Sequence, residues 1–107
     1  MQKQIILATT NKIEGKNHEV LGMVQGNVVM AKHLGRAIGA GFKQLAGGEI
    51  KTYTDLLNET RGVAIGRMLE QANAWNADAI IGVRLETCSV MDGCSEVTAY
   101  GTAVKFI

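Results

Sequence analysis

The segment from Thr52 to Asn76 reads as one unbroken helix, and its length limits what the rest of a short chain can do. Thr52 with Asp55 three residues on offers an N-terminal capping box, Asp being a weaker partner there than Glu. Asn76 suits a left-handed C-terminal cap. About 24 residues rising about 1.5 Å each make a rod of about 36 Å. A compact domain of 107 residues has a radius of gyration of only about 13 Å. Such a helix crosses the whole protomer, and the remaining elements must lie along it.

Its faces are unequal. At about 100° per residue, Asp55, Glu59, Gly62, Gly66, Glu70 and Asn73 share one polar or small arc of about 80°. Almost everything else is apolar, including Tyr53, Leu56, Leu57, Val63, Ile65, Met68, Leu69, Ala72 and Trp75. Packing on one sheet needs an apolar stripe of about 100° or more, and this arc is more than twice that width. A short preceding helix packed alongside would account for part of the excess. A subunit interface would account for it more fully, and the two are compatible. Arg61 and Arg67 fall inside the apolar arc, where a guanidinium needs a partner or a route to water. Snorkelling along apolar neighbours is the ordinary route; a ligand or a salt bridge across subunits is the functional one, expected more at Arg61. Tyr53, Arg61 and Trp75 are therefore ligand or interface candidates.

Around the helix the pattern is β. Gln4 to Thr10 and His18 to Ala31 read as extended, the latter as one strand or two, with Gly22 and Gly26 marking bends or close backbone approach. Leu34, Ala37, Ile38, Gly41, Phe42 and Leu45 form one face of a short glycine-rich helix that ends at Gly47-Gly48. From Ala79 to Val90, simple alternation puts Ile81, Val83 and Leu85 on one face and Gly82, Arg84, Glu86 and Cys88 on the other. Asp92-Gly93 is the best hairpin signal in the chain, leading into a last strand from Cys94 to Ile107. The expected fold class is α+β: two layers in a single domain spanning 1–107, with an antiparallel sheet packed on one long helix plus the short glycine-rich one.

Composition narrows the function. The chain is 47% hydrophobic and 20% charged with net charge +1, and no basic stripe of the kind nucleic-acid binders carry is visible. No apolar run approaches the ~20 residues that cross a bilayer, and the N-terminal run has no small-residue cleavage site after it. A cytoplasmic protein with reduced thiols is expected. No Gly-x-Ser-x-Gly, His-Glu-x-x-His or phosphate-loop signature occurs, and Gly39-x-Gly41 and Gly47-Gly48 lack the residues that would complete one. A non-enzymatic role is expected, with no catalytic residue.

Both cysteines, Cys88 and Cys94, flank the hairpin turn and are the metal candidates. Their spacing differs from the closer Cys pairs of structural zinc sites, and no second pair exists. A two-residue loop at Asp92-Gly93 makes Met91 face Cys94 and Cys88 pair with Val97, which sends the two thiols to opposite faces. Joint ligation would then require a longer or bulged turn, or symmetry gathering equivalent thiols from several subunits. His18 and His33 stand apart near predicted element ends, where surface or capping roles are expected.

The stretches "GGEIKTYTDLLNETR", "ADAIIGVR" and "AYGTAVKFI" resemble the YbjQ family, small bacterial proteins that carry a heavy-metal-binding label. The resemblance is specific from Gly47 to Ile107, through Gly47, Gly48, Tyr53, Leu57, Arg61, Asp78, Gly82, Tyr100 and Gly101, and looser before that. Ile50 replaces the family's usual Ser, and Asn76 its usual Gly before the Ala-Asp-Ala run. The resemblance implies a dodecin-like subunit, a ring-forming protomer in a homo-oligomer of five or a multiple of five, and binding of a small molecule or metal whose identity and ligands it does not assign. The expected alternative is a structural or partner-docking ring protein with no ligand.

Overall fold

A computed structural model of the chain describes residues 4–30, 50–91 and 94–107, without the side chains of residues 30, 50–54, 56, 89–91, 94 and 95. Its elements are β1 (Ile6–Leu7), β2 (His18–Met30), α1 (Ile50–Ala74), β3 (Ala79–Met91) and β4 (Cys94–Phe106). The expected glycine-rich helix and the Gly47-Gly48 pair lie outside the described residues, as does the turn at Asp92-Gly93.

The fold is α+β, with one correction. The four strands run in the order β1-β3-β4-β2. β2 with β4 and β3 with β4 are antiparallel, but β1 is parallel to β3, so the sheet is mixed. β1 is short because only Ile6 and Leu7 pair regularly, with Ala79 and Ile80. The chain beyond it stays bonded to β3, through Ala8 to Ile80 and Val83 and through Thr10 to Gly82.

α1 lies along one face of the sheet, termed here the inner face. It is already helical at Thr52, two residues in, so Thr52 is not the cap the sequence suggested. Its other end matches expectation: Asn76 has φ 56°, the left-handed conformation that Asn tolerates. The Ala77 amide donates to the Ala72 carbonyl and the Asn76 amide to that of Asn73, which is the bond pair of a Schellman cap. Ala72 and Ala77 are both fully buried beside it.

The core is where α1 meets β2 and β4. Thr60, Ala64, Met68 and Ala72 form the buried helix stripe, against Val24, Ile80, Val97, Ala99 and Ala103. Burying a side chain such as Met68 or Ile80 contributes about 1.5–3 kcal/mol relative to exposure. The stripe is much narrower than the apolar arc in the sequence, and Val63 and Trp75 remain 42% and 48% exposed. The helix crosses β2 at Gly26. A Cβ there would overlap the Ala64 carbonyl oxygen and the Met68 amide nitrogen, so the contact is backbone on backbone.

Three irregularities among the described strands set which side chains face where, and two of them fall at glycines. In β2 the register slips between Val20 and Gly22, and the Trp75 ring packs against Gly22, 3.1 Å from where a Cβ would stand. In β3 it slips between Ile81 and Arg84, at Gly82 with φ 61°. Simple alternation therefore fails there. Ile81 lies on the same face as Arg84, Glu86 and Cys88, while Ile80, Val83 and Leu85 lie on the inner face. An extra residue in one strand resets the period of two, and glycine makes the required left-handed conformation accessible.

Candidate functional site

The face of the sheet turned away from α1, its outer face, carries the candidate site. Register places Arg84, Tyr100 and Gln25 in one row across β3, β4 and β2, then Glu86, Thr98 and Asn27, then Cys88, Glu96 and Val29. Toward the other end, Ile81, Thr102 and Met23 form the next row. Beyond them Ala79 and Val104 are buried under Ile13 and Phe106, with the Lys16 ammonium 5.4 Å from the centre of the Phe106 ring. The loop between β1 and β2 thus closes one end of the outer face.

The polar rows are joined by hydrogen bonds. The Tyr100 hydroxyl donates to Glu86 Oε1 at 2.9 Å. Asn27 Nδ2 donates to Glu96 Oε2 at 3.2 Å, and the Thr98 hydroxyl donates to Glu96 Oε1 at 3.0 Å. Arg84 Nη1 donates to the carbonyls of Thr9 and Val83, fastening the β1–β2 loop to β3. The bond to the Glu86 carboxylate holds the Tyr100 phenol above its ordinary value of 10.0, and desolvation adds to the rise. A neutral donor satisfies the carboxylate, whereas a phenolate would repel it.

The remaining predicted positions separate into structural and exposed groups. Asp78 is a joint: its carboxylate accepts from the Phe106 amide at 2.7 Å, its amide donates to Val104 and its carbonyl accepts from Ile6. Gly101 is buried opposite the β3 bulge, where a Cβ would sit 2.7 Å from Ile80 Cγ2. Arg61 is exposed and donates to Asn58 Oδ1 at 3.3 Å. Arg67 leaves the apolar arc to donate to the Asn27 carbonyl at 2.6 Å, while Gln71 Oε1 accepts from the Gln25 amide at 3.0 Å. Two helix side chains thereby satisfy groups on the β2 edge, and Glu70 joins them in lining an open groove of about 440 Å³. Tyr53 lies in α1, but its side chain is outside the described set, and His33 is outside the described residues altogether.

The cysteine register requires a second correction. Met91 faces Cys94 as expected, but an extra residue between Ser89 and Met91 makes Cys88 pair with Glu96 rather than Val97. Cys94 stands two positions from Glu96 on β4, so alternation places the Cys88 and Cys94 positions on the same face. Cys88 is a free, exposed thiol. Among the described residues no group of three or more His, Cys, Asp or Glu is placed to hold a metal ion. Glu96, Asn27 and Thr98 were missed in the sequence. Alternation along β4 puts Glu96, Thr98 and Tyr100 together, but Asn27 joins them only through the β2–β4 register.

Among the described residues, the fold and outer face define a small α+β protein with a long helix on a mixed four-stranded sheet whose other face carries a hydrogen-bonded polar array. The chain belongs to the YbjQ family: that family's model, described as "Putative heavy-metal-binding", matches residues 5–107. A UPF0145 protein of Vibrio parahaemolyticus is 53% identical over 104 residues, covering 96% of this chain and 99% of its own. A UPF0145 protein of Thermotoga maritima is 53% identical over 102 residues, covering 94% and 96%. The fold is also similar to that of a crystallised protein of unknown function from Pediococcus pentosaceus, assigned to the DUF74 family. The TM-score is 0.66 at 17% identity, over 96% of this chain and 98% of that one. The match from residue 5 onward includes the N-terminal part whose resemblance was looser. No described helix is long and apolar enough to cross a membrane.

Proposed function

We propose that this protein is a self-assembling, non-enzymatic binding protein of the cytoplasm. Its dodecin-like subunits close into a ring of five, or a multiple of five, and hold an ion or small molecule on the outer sheet face. The observation that carries this reading is the apolar surface one protomer leaves open beside that array. Val20, Met23 and Val29, all on the outer face of β2, are 64%, 67% and 56% exposed. Scattered single apolar residues need no explanation, but Val20 and Met23 on one side and Val29 on the other flank Gln25 and Asn27, and apolar side chains bordering a polar array have the composition of an interface. The shape is consistent with this. The radius of gyration is 16.9 Å and the extents are 55 × 27 × 27 Å, against about 13 Å for a compact chain of this length.

The test is native mass spectrometry of untagged protein, with light scattering across micromolar concentrations. A five-fold species with a retained small ligand or ion is expected. Met23→Glu should dissociate it while leaving circular dichroism unchanged. A wild-type monomer throughout would refute the assembly. A stable ring that retains nothing and whose Trp75 fluorescence ignores a broad metal and metabolite screen would favour a purely structural ring.

A further inference from the structure

We propose that the groove between α1 and the free edge of β2 is a binding site for a small zwitterion of the α-amino acid class. The site is separate from the outer-face array and depends neither on it nor on the ring. Two features carry it: the backbone groups the strand edge offers, and the order in which the helix sets charge beside them.

β2 is the last strand of the sheet, so one of its long sides meets no other described strand. In an antiparallel ladder, alternate residues turn both backbone groups away from the partner strand. Gln25 and Asn27 are such residues, because the Gln25 amide donates to Gln71 Oε1 and the Asn27 carbonyl accepts from Arg67 Nη1. These two bonds close the ends of the stretch and bar a full strand from docking on it. Between them lie the Gln25 carbonyl and the Asn27 amide, an acceptor next to a donor. Neither has a partner among the described residues. The groove that both residues line holds about 440 Å³, toward the small end of the roughly 300–1,000 Å³ of ligand sites.

The helix adds charge in matching order. Strand and helix run in opposite directions, since Arg67 reaches Asn27, Gln71 reaches Gln25 and Trp75 reaches Gly22. The Arg67 guanidinium therefore stands at the Asn27 end, with the backbone donor. Its bond to the Asn27 carbonyl is 2.6 Å long. That bond uses one donor and holds the planar fork, and a held fork is a receptor for a carboxylate. Glu70 lies on the next turn toward the Gln25 end and lines the same groove. Its carboxylate has no partner among the described residues, and with the Gln25 carbonyl it makes an acceptor end for an ammonium. An α-amino acid carries carboxylate and ammonium on one carbon and engages both ends at once. A simple anion would meet Glu70 and a simple cation would meet Arg67, so each half alone is disfavoured. The groove is open, and the ligand's side chain extends to solvent.

The test is a titration of the untagged, ¹⁵N-labelled full chain with each protein amino acid, and with acetate and methylammonium as half-ligands. Saturable shifts of the Asn27 backbone amide and the Gln71 side-chain amide are expected with amino acids. Either half-ligand should bind about 10-fold more weakly or worse, for loss of a charge-assisted contact. Arg67→Lys keeps a donor for the Asn27 carbonyl but loses the fork, and should weaken binding by about 10-fold or more. Glu70→Gln should weaken amino-acid binding to a similar degree while strengthening that of acetate. No saturable shift with any amino acid, acetate as tight as the amino acids, or indifference to Glu70→Gln would each overturn the site. Shifts confined to Tyr100 and Glu86 would put the ligand on the outer face and overturn it equally.

Discussion

On the inner face of the sheet, Gly26, Ala64 and Met68 bring backbone against backbone and leave no room for another carbon. On the outer face, a few ångströms away through the same strands, Asn27, Glu96, Thr98, Tyr100 and Glu86 meet through single hydrogen bonds while Met23 and Val29 stand open. The inner face obtains its stability from burial and shape. Away from the Ala79, Ile81 and Val104 cluster at one end, the outer face buries little apolar surface, so its polar rows are free to serve contact and binding.

That contrast can be broken most forcefully from the inside. Met68→Ala removes a fully buried side chain from the centre of the α1 stripe and should cost about 3 kcal/mol, seen as a lower urea midpoint. Gly26→Ala drives a Cβ into the helix backbone, which cannot rotate away as a side chain would, and should cost about 2–3 kcal/mol. If either were neutral, α1 would not be seated on β2 as described. On the outer face, Asn27→Ala removes one exposed hydrogen bond to Glu96 and should cost about 1 kcal/mol or less. A loss as large as that of Met68→Ala would erase the distinction between the faces.

The smallest effect is a titration. With Tyr53→Phe as background, the ultraviolet midpoint of Tyr100 should lie above 10.0, and Glu86→Gln should bring it down toward that value. The sign for stability follows. A phenol whose folded pKa exceeds its unfolded one contributes fully below the unfolded value, and that contribution is lost as pH rises through the folded value. Stability should therefore fall in the alkaline window above 10.0. An unchanged midpoint in Glu86→Gln would mean that the two side chains do not meet in solution.

The long helix, its Asn76 cap, the β2 strand and the β3–β4 hairpin could be read from spacing, because each is a local period closed by a local signal. Two errors share a cause, and a third, the parallel β1, comes from which strand the chain pairs with. The faces of β3 and the partner of Cys88 both depend on where one strand gains a residue against another. Alternation along a single strand contains no record of that slip. Arg67 shows the same limit: its place in an apolar arc was visible, but its partner on the β2 edge was not.

By itself, the sequence determined the family, the α+β class, the long helix and the surplus of apolar surface on it, since these follow from residue type at fixed intervals. Only the tertiary structure decided that Glu96 is held between Asn27 and Thr98, and that the Cys88 and Cys94 positions share a face. The physical reason is that a β-sheet has a period of two. One bulged residue inverts every assignment beyond it, and packing across strands, not local preference, selects where the bulge falls.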